Sequence, residues 1–378
     1  MWMMQRMQRM MMLKRVVLAL VVLAAPVTML VSGCDEGDPC DGMTRCQAEG
    51  ALPFKSLAEY DFFVGPMVEL RPKTGVVPYT VAAPLWSDQA GKDRFIVLPE
   101  GGKIEMRSDD GEWGFPEGTI LVKNFFFDHD RRDPKAGAKI IETRLLLREA
   151  GNWRAFTYVW NDAQTEATLL RTGKRVNIEF TDVDGAARTE EYIVPNDDQC
   201  SSCHERDDVE HALGLITPQM NRMVERDGKQ VAQLTWLAEQ GMFTAPPADL
   251  ATLPAFIDPY GGEGTLDQRA RGYLHGNCAH CHQAGGGAGK SGLVFLASEP
   301  DLAKVGVCKV PAAAGAGTGG HAHDIVPGKP DESIVVFRMN SLDPEIKMPE
   351  LPNRVIDQGG LALIREWIAA MPVDVACQ

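Results

Sequence analysis

The stretch "GTILVKNFFFDHDRRDPKAGAKIIETRLLL", residues 118–147, decides what kind of fold this chain adopts. Two runs rich in β-branched and aromatic residues flank a polar segment carrying Asp, Pro and Gly, which is the punctuation of a turn. Each run is strand-length, and neither keeps the three-to-four spacing of a helix. The same grammar extends outward. "DRFIVLP" (93–99) stops at "EGG", "WRAFTYVW" (153–160) at "ND", "RVNIEF" (175–180) at "TDVDG" and "EEYIV" (190–194) at Pro195. Strands at this spacing predict an antiparallel sandwich or barrel over residues 51–195.

After Pro195 the period lengthens. "QVAQLTWLAEQGMF" places Val231, Leu234 and Leu237 on one helical face and stops at Gly241. "TLDQRARGYLHGNC" repeats apolar residues at Leu266, Ala270 and Leu274, and "DQGGLALIREWIAAM" at Leu361, Ile364 and Ile368. The expected fold class is therefore α+β, an N-terminal antiparallel β-rich domain followed by a mostly α-helical region. The glycine-rich run at 312–324 reads as a surface loop, since no helix start follows its glycines.

The N-terminus carries Arg6, Arg9, Lys14 and Arg15 ahead of an apolar run, Val16 to Val31, and ends in "LVSGC". That is the pattern of an export signal, too short to span a bilayer comfortably. "LVSGC" resembles a bacterial lipobox, which implies cleavage after residue 33 and acylation of Cys34. Residues 34–50, acidic and turn-rich, read as a flexible tether. Loss of residues 1–33 takes the formal charge from −14 to −18, which argues against a nucleic-acid partner. Export also means an oxidising compartment. Outside the motifs below and Cys34, the remaining cysteines are Cys40, Cys46, Cys308 and Cys377. The favoured pairing is Cys40 with Cys46 and Cys308 with Cys377; Cys46 with Cys308 stays open.

Two C-x-x-C-H motifs carry the chemistry: Cys200, Cys203 and His204, then Cys278, Cys281 and His282. The spacing lets two thiols take the two vinyl groups of one haem as thioethers while the next histidine faces the iron. A zinc site or redox dithiols would use the cysteines alone. Paired zinc motifs lie about 15–20 residues apart, whereas 74 residues (204–277) separate Cys203 from Cys278, and neither alternative needs a histidine after both pairs. Two covalently bound c-type haems are therefore expected, in a first segment (196–262) and a second (263–378). For the second haem, Met348 in "KMPELP" is the expected sixth ligand, because it sits in a proline-fixed loop, while Met339 and Met371 read as core. For the first haem the choices are His211, Met220, Met223 and Met242, with Met220 leading because Pro218 marks a helix start. His275 and His280 read as bystanders, and His321 and His323 as loop histidines.

A helix running into C-x-x-C-H, a Met-Pro loop and a terminal helix with an aromatic resemble the small class I cytochrome c domain, over roughly 264–372. The resemblance implies that the first and last helices of this region cross, with Gly272 or Tyr273 against Trp367. "WSDQAGKDRFIVLP", "FPEGTILVKNFFF" and "YVWNDAQTEATLL" ahead of two haem motifs resemble a group of bacterial di-haem cytochrome c lipoproteins. That resemblance implies electron transfer at a membrane facing the periplasm, with redox proteins and the lipid bilayer as partners. The alternative is a di-haem oxidoreductase or peroxidase-like enzyme with an open coordination position at the first haem.

Overall fold

Alternation along the strands of the opening stretch builds the sheet. In the computed structural model, which describes residues 52–312, 314–351, 353–373 and 377, six strands pair in chain order as an antiparallel meander. They are β1 (Val76–Tyr79), β2 (Gly91–Val97), β3 (Ile120–Asp128), β4 (Ala138–Glu149), β5 (Asn152–Trp160) and β6 (Ala167–Leu170). β7 (Lys174–Thr181) and β8 (Ala187–Val194) form a separate hairpin. The sheet is an open meander with β1 and β6 at its edges, not a closed barrel. Pro78 lies in β1, an edge strand, where a missing N–H removes no ladder bond from a central position. The leader (1–33), Cys34, the tether (34–50), Cys40 and Cys46 lie outside the described residues.

The two faces of the sheet bury different partners. Phe95, Val122, Leu145, Phe156 and Tyr158 point to one side, into a core shared with Leu57, Tyr60 and Phe62 of the preceding segment. Ile96, Leu121 and Trp153 point to the other, where Leu215, Met220, Leu234 and Phe243 pack against them. The β7–β8 hairpin extends that second side through Ile178, Phe180 and Tyr192 against Phe125 and Phe127. Burying one such side chain contributes roughly 1.5–3 kcal/mol, so the sheet and the segment after Pro195 stabilise one another.

The region after Pro195 corrects the expected fold class, because it is not mostly helical. Its helices are α1 (Asp197–His204), α2 (Thr217–Met220), α3 (Gln233–Glu239), α4 (Leu266–Asn277), α5 (Leu302–Val305), α6 (Ile334–Met339) and α7 (Gln358–Ala369). Only α4 and α7 reach 12 residues. Two small hairpins, β9–β10 (Glu205–Arg206, Val209–Glu210) and β11–β12 (Met223–Arg226, Lys229–Ala232), interrupt the series. Glycine ends one of the short ones, α5, where Gly306 takes φ 113°, whereas α1, α2, α3 and α6 stop at Glu205, Asn221, Gln240 and Asn340. The molecule is therefore dominated by antiparallel β structure with short helices laid around it. The expected helix over 230–243 likewise begins as strand β12 and turns helical only at Gln233.

The helix crossing implied by the class I resemblance has its own geometry. α4 starts at a capping box, Thr265 with Gln268, and α7 at the Asp357 side chain. They meet where the Tyr273 ring lies over Gly360. Trp367 instead donates to Asp267 Oδ1 at 2.9 Å, and Gly272 faces the Ile257 carbonyl and Ala83. The β1–β2 loop reaches the same helices: Trp86 N donates to Asn277 Oδ1 (2.7 Å) and its indole to the Val355 carbonyl (3.1 Å). Asp88 Oδ1 accepts from the Arg354 and Val355 amides (2.6 and 2.9 Å). Cys308 is bonded to Cys377, as favoured from the sequence.

Candidate functional site

Each C-x-x-C-H motif lies at a helix C-terminus. α1 is capped by Asn196 and Gln199 and ends on His204; the chain then reverses in the β9–β10 hairpin, with Asp207 and Asp208 at positive φ. This reversal lets His204 Nδ1 donate to the His211 carbonyl at 2.7 Å. A carbonyl can only accept, so the proton sits on Nδ1 and the Nε2 lone pair is free, as a metal-bound imidazole requires. α4 delivers the second motif. Its His282 Nδ1 lies 3.1 Å from Ser291 Oγ, and its ring meets Phe295 edge-on at 5.1 Å. Burial holds both His204 and His282 down to about 4.

Each motif opens on its own cavity. The first motif borders a space of about 230 Å³ between the sheet and α4, walled by Cys200, His204, Lys123, Arg144 and His275. The second borders about 400 Å³, walled by Cys278, Cys281, His282, Tyr273, Met339 and Met348. Met348 therefore lies in the wall shared with His282, and so does Met339, which also packs in the core. Met371 packs at that core's edge.

Although far apart in sequence, the two motifs are neighbours. Cys203 and His280 belong to the walls of both cavities, and Cys203, His280 and Cys281 place their ligand atoms within 4.8 Å of one another. Cys281 Sγ also approaches the Ser202 carbonyl at 3.6 Å, and Arg206 bridges Gly286. A hydrogen bond from Cys281 and the nearby His280 hold the Cys203 thiol down to about 4, while the same contact pushes Cys281 up. Burial raises Cys200 to about 11 and Cys278 to about 12. All four motif cysteines are free thiols.

The sixth-ligand choices expected for the first motif are not in the wall of its cavity. Met220 is fully buried in the core beneath the sheet, where Gln233 Nε2 approaches its sulfur at 3.9 Å. Met242 is buried there too, and Met223 is exposed. His211 is held by Glu112, 2.6 Å from its Nδ1. Met220 is the correction: Pro218 does start a helix, but α2 turns its methionine into the core. His275 and His280, by contrast, wall this cavity. His275 Nδ1 accepts from the Ala297 amide at 3.2 Å, so its neutral ring carries the proton on Nε2 and offers no lone pair there. His321 rests edge-on against Phe337 at 5.6 Å. Arg94, Lys123 and Arg144 face the first C-x-x-C-H motif, and the one local signal of it is their place among apolar neighbours in strands.

Burial also sets a pH dependence. His275 is held at about 4, below the roughly 6.5 of an unfolded chain. Between those values the unfolded state binds a proton that the folded state does not, so stability falls as pH falls, by roughly 1.4 kcal/mol per unit and about 3 kcal/mol across the window. His275→Gln, which keeps an acceptor for the Ala297 amide, should flatten the dependence of the urea midpoint on pH between 6.5 and 4; an unchanged slope would assign the loss elsewhere.

Comparison with known proteins returns no matching family model, curated protein or solved structure.

Proposed function

We propose that the chain is a membrane-anchored, periplasm-facing di-haem c-type cytochrome that passes single electrons between redox proteins. The observation that supports this reading most is the meeting of the two C-x-x-C-H motifs, each with its own cavity and with Cys203 in both walls. The donor set fits the group: two free thiols per motif and an adjacent histidine, with the His204 Nε2 left unprotonated. Bound haem would supply reversible one-electron chemistry at its iron. Cys200 and Cys203, and Cys278 and Cys281, would hold the two groups covalently, with His204 and His282 as axial ligands. Met348 would complete the second site. The apolar side chains in that wall, Tyr273, Phe295 and Met339 among them, would shield a bound group from water, and an anchor at Cys34 would keep the carrier at the membrane.

Optical and magnetic spectra of the purified protein, oxidised and reduced, test the ligand set. Met348→Ala is expected to abolish the methionine-to-iron signature of one haem; an unchanged signature would move the role to Met339. The second reading, an oxidoreductase or peroxidase-like enzyme, is favoured by one observation: among the described residues of the first cavity's wall there is no methionine. A high-spin signal from one iron would favour that enzyme, and two low-spin irons would count against it.

A further inference from the structure

The sheet face toward His204 carries a row of cations. Arg94 in β2 pairs in register with Lys123 in β3, and Lys123 with Arg144 in β4. All three wall the first cavity. Lys123 Nζ lies 4.8 Å from the centre of the buried Phe125 ring and the Arg144 guanidinium 4.2 Å from it, so the two charges are packed around one aromatic face. Like charges directly opposite one another across a ladder destabilise it. Only one of the three is neutralised: Glu142 holds Arg144 at 2.5 and 3.0 Å and also accepts from Tyr192 at 2.6 Å. Glu112, also in the wall, is engaged by Arg206 and His211. Among the described residues no carboxylate pairs with Lys123 or with Arg94, which is 9% exposed. Burial, with Arg94 and Arg144 beside it, pushes the Lys123 ammonium well below its usual value, so an anion seated between Arg94 and Lys123 would restore a charge that burial makes costly. In a chain of net charge −14 the row marks a place built for an anion.

We propose that Arg94 and Lys123, flanked by Arg144, form an anion site in the first cavity that binds an oxyanion group, either the carboxylates of the haem held at Cys200 and Cys203 or a free oxyanion. The site rests on the di-haem reading, so the test begins by counting haems. Wild type, Lys123→Met and the charge-keeping Lys123→Arg are purified from the membrane, their haem per chain is measured, and both reduction potentials are titrated at fixed ionic strength with and without inorganic phosphate. A cation near iron favours the reduced state, so Lys123→Met should lower one potential more than the other, and Lys123→Arg should restore both. A shift independent of phosphate assigns the site to the haem's own carboxylates. A wild-type potential that moves with phosphate, and a variant that does not respond, assigns it to a free oxyanion. Two haems in every variant with potentials unmoved by substitution or phosphate would overturn the anion site alone. A wild-type chain without haem would overturn the reading beneath it.

Discussion

Cys278→Ala combined with Cys281→Ala is expected to halve the covalent haem from two groups per chain to one, and Cys200→Ala with Cys203→Ala to do the same at the other site. Denaturing gels stained for haem, with alkaline pyridine spectra for stoichiometry, measure this directly. The contact between the motifs adds a second expectation. With ligand atoms of Cys203 and Cys281 within 4.8 Å, a charge change at one site is felt at the other through little solvent, and low-dielectric surroundings strengthen that coupling. The potential remaining in each double variant should therefore differ from both wild-type values. Potentials identical to wild type would separate the two sites electrically. Full haem content in either double variant would remove the covalent assignment. Stoichiometric zinc with no haem would give the Cys203–His280–Cys281 cluster to a metal ion instead.

Gly360→Ala should destabilise the protein by about 1–3 kcal/mol, the cost of overpacking a filled contact. Two opposing effects make the sign informative. In a helix interior, alanine improves on glycine by about 1 kcal/mol. Here a Cβ would stand 2.3 Å from the Tyr273 ring, closer than any real contact, so packing wins unless α4 and α7 separate. Tyr273→Ala should be costly alone, yet the double variant should recover part of the summed loss, since truncating the ring makes room for the new methyl and the methyl fills part of the space the ring leaves. Gly262→Ala, whose Cβ would meet nothing within 4 Å, serves as the neutral comparison. Thermal midpoints read out all four proteins; a stabilised Gly360→Ala would show that the crossing is loose. Because Tyr273 also walls the second cavity, the variant's spectrum should change at that haem.

How far the sequence could be read varied with the range of the interaction. The runs at 93–99, 118–127, 139–147 and 153–160 became central strands because alternation and turn residues are local signals. β1 and β6 went unread: each is four residues long, and β1 contains a proline. After Pro195 helical periodicity holds in three windows only, and the rest of the chain there folds as loops, short helices and two short hairpins. The two C-x-x-C-H motifs were legible because their residues are adjacent in the chain, the spacing that covalent attachment of a haem would require. What faces each motif was not. Met220 had the right neighbour in Pro218 and the wrong direction, and Lys123 entered the first cavity from a strand far away in sequence. Tertiary placement of that kind leaves no mark within a short window.

The β1–β2 loop, through Trp86 and Asp88, holds the Asn277 side chain and the backbone at 354–355, on either side of the second C-x-x-C-H motif and the Met348 loop. A segment that borrows hydrogen-bond partners from elsewhere in its chain is not a portable cassette. Residues 263–378 could not be excised and grafted onto another anchor without depriving Asn277 Oδ1 and two backbone amides of their partners. Gene rearrangements that preserve this fold should carry the sheet and the C-x-x-C-H segments together, so that what is inherited is the pair.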